Sequence, residues 1–160
     1  MESAFDLDRS GLRFVRAESE AAYRVWYVKR SAAFARMSMF AALATWGILF
    51  VVGPFLVSTR AYLEIAALFG VSALPAFLLA LATARGDGSR WMLPAQMLAN
   101  TASGLMFVCM SFGVLDRPDL AIIGVITAAF YGFTVQPLRV TQAARATLGY
   151  VAAHQVFAIL

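Results

Sequence analysis

The sequence predicts an all-α protein, a polytopic membrane helix bundle of five spans preceded by an amphipathic cytoplasmic helix. Three observations predict it. Met37–Thr59 runs 23 residues without a charged side chain, enough at about 1.5 Å per residue to cross a hydrocarbon core of roughly 30 Å. The chain is 61% hydrophobic and 14% charged, with a mean hydropathy of +0.74, whereas ordinary globular domains carry about 25% charged residues. Its Lys and Arg gather at the ends of the apolar runs.

Residues 1–12 are polar and acidic, with no apolar core or small-residue cleavage site. They read as a disordered N-terminus and not as a signal peptide. Residues 13–36 form a basic arm, rich in helix formers and free of proline. Phe14, Tyr23, Trp26 and Tyr27 fall partly on one face of it, with Arg13, Arg16, Arg24, Lys29 and Arg30 around them. Two readings are open: an amphipathic helix lying at the interface and running into the first span, or a solvated helical arm that supplies topogenic charge.

The membrane bundle occupies residues 37–160, with spans expected at about 37–57, 63–84, 91–114, 120–138 and 143–160. Gly53-Pro54 should bend span one near its outer end, and Pro75 should kink span two near its middle by removing a donor. Tyr62 and Trp91 stand at span ends as interfacial anchors. The last uncharged run, Ala146–Leu160, holds 15 residues, short of the ~20 a span needs. The chain is therefore expected to be cut in or just after its fifth helix. Links this short make neighbouring helices antiparallel.

Seven Lys and Arg precede span one, and the second and fourth links carry two each, against Arg60 and Arg117 on the other side. The positive-inside rule then places the N-terminus in the cytoplasm, and the expected location is an inner (plasma) membrane. The formal net charge of +4 points to anionic headgroups, not to nucleic acid.

No phosphate-binding glycine loop, Cys/His metal spacing or Ser-His-Asp set occurs, and Cys109 and His154 are each single. No catalytic, cofactor-binding or metal residue is assigned, and no cofactor is expected in this chain. Uncharged spans argue against a transporter or channel, because ion pathways need ionisable groups at membrane depth. The spans do hold Thr45, Gln96, Asn100, Ser103, Tyr131 and His154 at similar depth, with Asn100 about 14 Å in and Thr45 and His154 about 12 Å. Gln96, Asn100 and Ser103 share one helix face. One reading is a central polar pocket for a lipophilic ligand; the other is ordinary hydrogen bonding between helices. Gly124, Ala128 and Gly132 form a ladder of small residues that packs either within the bundle or against a second copy.

The arm carries Phe14 and then Glu20-Ala21-Ala22-Tyr23-Arg24, link four carries Pro137-Leu138-Arg139, and Ala144 and Tyr150 follow. With the spacing of the spans, these features resemble the six-helix membrane module found N-terminal to class III adenylate and guanylate cyclase domains in bacteria. The resemblance covers almost all of residues 11–160; similar modules precede histidine kinases and diguanylate cyclases. It implies a sixth helix, a linker and a catalytic domain beyond Leu160, with a divalent metal expected for that domain alone. The implied function is a sensory, regulatory and dimerising membrane module for synthesis of a cyclic nucleotide from a nucleoside triphosphate. The rival reading is a self-contained membrane scaffold or accessory subunit.

Overall fold

One continuous helix, α1 (Ala17–Leu56), carries both the arm and the first apolar run in the computed structural model, which describes residues 16–85, 89–135 and 138–159. The expected disordered tail lies outside the described residues. Every element among those described is helical: α2 (Thr59–Val71), α3 (Ala73–Thr83), α4 (Met92–Cys109), a π-helical segment (Met110–Val114), α5 (Pro118–Thr134) and α6 (Val140–Ile159).

The 40 residues of α1 rise about 60 Å, twice the hydrocarbon thickness. Glu18 and Glu20 in its first turn oppose the positive end of the helix dipole. Nothing interrupts the backbone between arm and span, so the arm runs directly into the first apolar run. It is not merely solvated. Val28, Ala32 and Ala35, spaced to share one face, are buried against Ala84, Met92 and Leu93 at the end of α3 and the start of α4.

The other end of α1 shows how the bundle handles a proline. Pro54 lies inside the last turn and has no N–H for the carbonyl of Phe50. Tyr62 supplies one instead: its hydroxyl donates to Phe50 O at 3.3 Å. Gly53 makes the approach possible, since a Cβ there would stand 3.2 Å from the Tyr62 ring. The residue expected to be an interfacial anchor is thus also a backbone partner. Tyr62→Phe keeps the ring and deletes the donor, and should cost about 1–2 kcal/mol for a carbonyl left without its bond. Thermal unfolding of the two proteins in one detergent measures this directly. A variant as stable as the parent would mean the bond carries no net energy.

Span two is divided. α2 begins where Ser58 caps it, accepting from Ala61 N at 3.3 Å, and stops at Ser72, whose Oγ turns back to Leu68 O at 2.6 Å. Pro75 falls in the first turn of α3, where a missing N–H costs nothing within the helix. The expected kink takes the form of a break one turn before the proline.

α4 runs into π-helical geometry, with Leu115 N bonding Met110 O at 2.9 Å and Arg117 N reaching Ser111 O at 2.8 Å. Asp116 then turns the chain with φ of 50°, a left-handed conformation that Asp tolerates better than most residues. Arg117 grips Asp119 through Nε and Nη2 at 2.9 and 2.7 Å, and these bonds hold the Asp119 carboxyl below its ordinary value.

Two boundaries depart from expectation. α5 stops at Thr134, not near residue 138, with Val135 N closing its last turn on Tyr131 O at 2.9 Å. α6 starts at Val140 and holds 20 residues, about 30 Å, so the fifth helix is longer than its uncharged run. Among the described residues three stretches, Ala17–Leu56, Thr59–Thr83 and Met92–Val114, are long and apolar enough to cross a membrane; the apolar part of α5 is shorter and α6 is not among them, so three of the five expected spans are seen.

α4 is the central helix, packed by α3, α5 and α6. Beside it, Trp46 of α1 stacks on Phe107 at 5.4 Å and lies 5.0 Å from Phe69. Large side chains such as Ile123, Ile126 and Phe130 of α5 face outward. Exposed apolar surface of this extent suits lipid, not water.

Candidate functional site: an intramembrane cavity

A cavity of about 100 Å³ opens between α1, α4 and α5, with Thr45, Asn100, Ser103, Thr127 and Tyr131 among its lining. Its apolar walls are Trp46, Leu49, Phe77 and Phe107. A second cavity of about 620 Å³ shares Trp46, Leu49 and Phe107 with the first and extends to Tyr62, Val114 and Arg117. The two cavities therefore share one apolar wall.

Each polar side chain is placed by its helix. Thr45 and Thr127 direct their hydroxyl protons to the carbonyls of Ala41 and Ile123, at 2.9 and 2.8 Å. Tyr131 donates to the carbonyl of Ser38, tying α5 to α1. These three oxygens keep lone pairs that accept from a ligand. Asn100 is different. It is 1% exposed; its side chain interacts with the Tyr150 hydroxyl, and its Nδ2, enclosed beside Gly132, makes no further hydrogen bond among the described residues. A buried amide whose hydrogen-bonding capacity is only partly used costs up to about 1–3 kcal/mol, and this one also lines the cavity. The site is uncharged, so it suits a hydroxyl or carbonyl group at the end of an apolar body. No three of His, Cys, Asp and Glu are grouped to hold a metal among the described residues.

The structure brings Thr45, Asn100, Ser103 and Tyr131 together and leaves two of the sequence candidates apart. Gln96 is fully buried, but its Nε2 turns to Ala80 O at 3.5 Å, a long contact between α4 and α3. His154 packs edge-on against Phe112 of the π-helical segment, ring centres 5.6 Å apart. One helix turn separates Gln96 from Asn100, and that turn carries it past the cavity.

The ladder on α5 is occupied from within. A Cβ on Gly124 would come within 2.6 Å of Phe107 Cβ, and one on Gly132 within 2.6 Å of Asn100 Nδ2. Ala128 is buried as well. These small residues let α5 press against α4, and the space beside them is filled from within the bundle. Gly132 in particular makes room for the Asn100 amide.

Thr127 and the aromatic wall were not among the sequence candidates. Thr127 stands four residues before Tyr131, and that helical spacing was the available signal. At the far end of the bundle, Glu20 of the arm accepts from Arg139 Nη1 at 2.5 Å. Arg139 also lies over the Tyr23 ring, 5.0 Å from its centre. α1 thus touches the α5–α6 pair both at the cavity and at the arm.

No family model matches the chain, and no curated protein or solved structure matches it.

Proposed function

We propose that the chain is a ligand-responsive membrane module that pairs and orients a class III nucleotide cyclase domain joined beyond residue 160. In this reading all five helical stretches span an inner (plasma) membrane, and the N-terminus is cytoplasmic. Eleven of the 13 Lys and Arg on one side support that orientation. The cyclase output rests on the resemblance carried by the arm and link four. The ligand is an amphiphile with a small uncharged head that includes a hydrogen-bond acceptor.

One observation carries the sensory reading: Thr45, Asn100, Ser103 and Tyr131, from three different helices, line one cavity bounded by α1. Filling that cavity acts on Thr45 and Trp46, and α1 continues without a break from them to the arm. A rigid helix transmits a shift at one end to the other, where Glu20 and Arg139 hold the arm against the start of α6. A ligand biases this arrangement only through its different affinity for the two positions of α1. Pairing of two chains needs another surface than the α5 ladder, and the arm, with Val25 and Trp26 half exposed, is the next candidate.

The test joins the chain ahead of a class III cyclase domain in bacterial membranes. Tethering supplies effective concentrations of roughly millimolar, so cyclic-nucleotide output at nanomolar protein should exceed that of the free domain at least about tenfold. Added dodecanol should change the output of the fusion and not that of the free domain. Equal output with and without the membrane chain contradicts the proposal.

A further inference from the structure

Away from the intramembrane cavity, a pocket of about 400 Å³ lies where the arm, the start of α4 and the start of α6 meet, and four arginines line it: Arg24, Arg90, Arg139 and Arg145. Like charges gathered around one space repel, and this interface is only partly wet, so the arrangement calls for counter-charge. Among the described residues, Glu20 is the carboxylate that bonds the group, and it is shared between Arg24 at 3.0 Å and Arg139 at 2.5 Å. Arg139 is largely buried, and its Nη2 is enclosed without a hydrogen-bond partner among the described residues. Two helix starts add to the positive field: Leu93 and Pro94 from the first turn of α4, and Thr141 and Gln142 from that of α6, all line the pocket.

We infer that this pocket binds a phosphate group. Guanidinium forks match phosphate oxygens in geometry as well as charge, and Arg24, Arg90 and Arg145 line the pocket around an Arg139 already fixed by the Glu20 contact. Basic pockets between helices at a membrane face hold lipid phosphates in the same way. A soluble phosphate presents identical chemistry, so the two sources are separated by experiment. This site is independent of the Asn100 cavity and of any cyclase output.

The purified chain in uncharged detergent at 0.15 M salt, the physiological strength at which the Debye length is about 8 Å, is titrated with dihexanoyl phosphatidic acid, inorganic phosphate and dihexanoyl phosphatidylcholine. Melting temperature is the readout. Phosphatidic acid should raise it in a saturable manner, and phosphatidylcholine, whose headgroup is neutral overall, should not. Inorganic phosphate acting equally well identifies a soluble source; phosphatidic acid acting alone identifies a lipid one. Arg90→Gln/Arg145→Gln removes two exposed side chains that make no ion pair among the described residues. It should weaken binding about tenfold or more, as expected for lost hydrogen bonds to a charged group. Arg145→Gln alone gives the same test at about three- to tenfold should the double variant not fold. Arg60→Gln, at the other end of α1, changes net charge and should leave the affinity unaltered. No stabilisation by either phosphate probe, or equal affinity in parent and pocket variants, overturns the inference.

Discussion

Gly104→Ala should separate α4 from α6 and destabilise the protein by about 3 kcal/mol, the upper part of the range for overpacking a core. A Cβ built on Gly104 falls within the ring of Tyr150, among Cγ, Cδ1 and Cε1. The ring has nowhere to move. Tyr150 is fully buried, and its hydroxyl is bonded to Thr147 Oγ1 at 3.0 Å. Relief requires the two helices to part. Gly47 provides the comparison, since a Cβ there meets nothing within 4 Å. Gly47→Ala should therefore gain up to about 1 kcal/mol from helix propensity alone. Thermal unfolding in detergent gives both numbers. The clash itself is isolated by repeating Gly104→Ala in a Tyr150→Leu background, where its cost should fall below about 1 kcal/mol. An equal cost in both backgrounds would place the strain somewhere other than the ring.

Asn100→Leu should stabilise the fold and abolish ligand binding. Leucine has nearly the same shape, so the packing against Gly132 and Tyr150 is kept while a buried amide with an unfilled donor disappears. Removing an unsatisfied buried polar group recovers about 1 kcal/mol or more. A residue that costs stability and is retained for binding behaves in this manner. Had Asn100 served only to bond neighbouring helices, its loss would weaken the bundle by about 0.6 kcal/mol. The sign of the stability change thus separates the two readings left open by the sequence. A destabilised variant supports helix–helix bonding.

What the sequence made legible was set by period and length. Uncharged runs located the helices, because a charge at membrane depth is costly wherever the helix faces. Thr45, Asn100, Ser103 and Tyr131 were found by counting depth along each run, and depth is a property of one helix at a time. Rotation is not. Gln96 shares a face with Asn100 on paper, yet the aim of its side chain is decided by the Ala80 carbonyl of α3, a neighbour that no count along α4 identifies. The same holds for Gly124 and Gly132, whose spacing advertises close approach without naming the partner; Phe107 and Asn100 are that partner. The π-helical segment had no signal at all, since Met110–Val114 contains neither proline nor a charged residue. Pro54 shows the intermediate case. A lost donor was readable, but its replacement by the Tyr62 hydroxyl depends on how α2 folds back.

The most direct measurement is photolabelling of the protein in lipid nanodiscs with a diazirine-bearing dodecanol, mapped residue by residue by mass spectrometry. Label should concentrate on the cavity walls, at Trp46, Leu49, Phe107 and Thr127, be displaced by excess unlabelled dodecanol, and fall to background in Asn100→Leu. Label confined to outward-facing side chains such as Ile123, Ile126 and Phe130, undiminished by competitor and unchanged in the variant, would contradict a ligand site within the bundle.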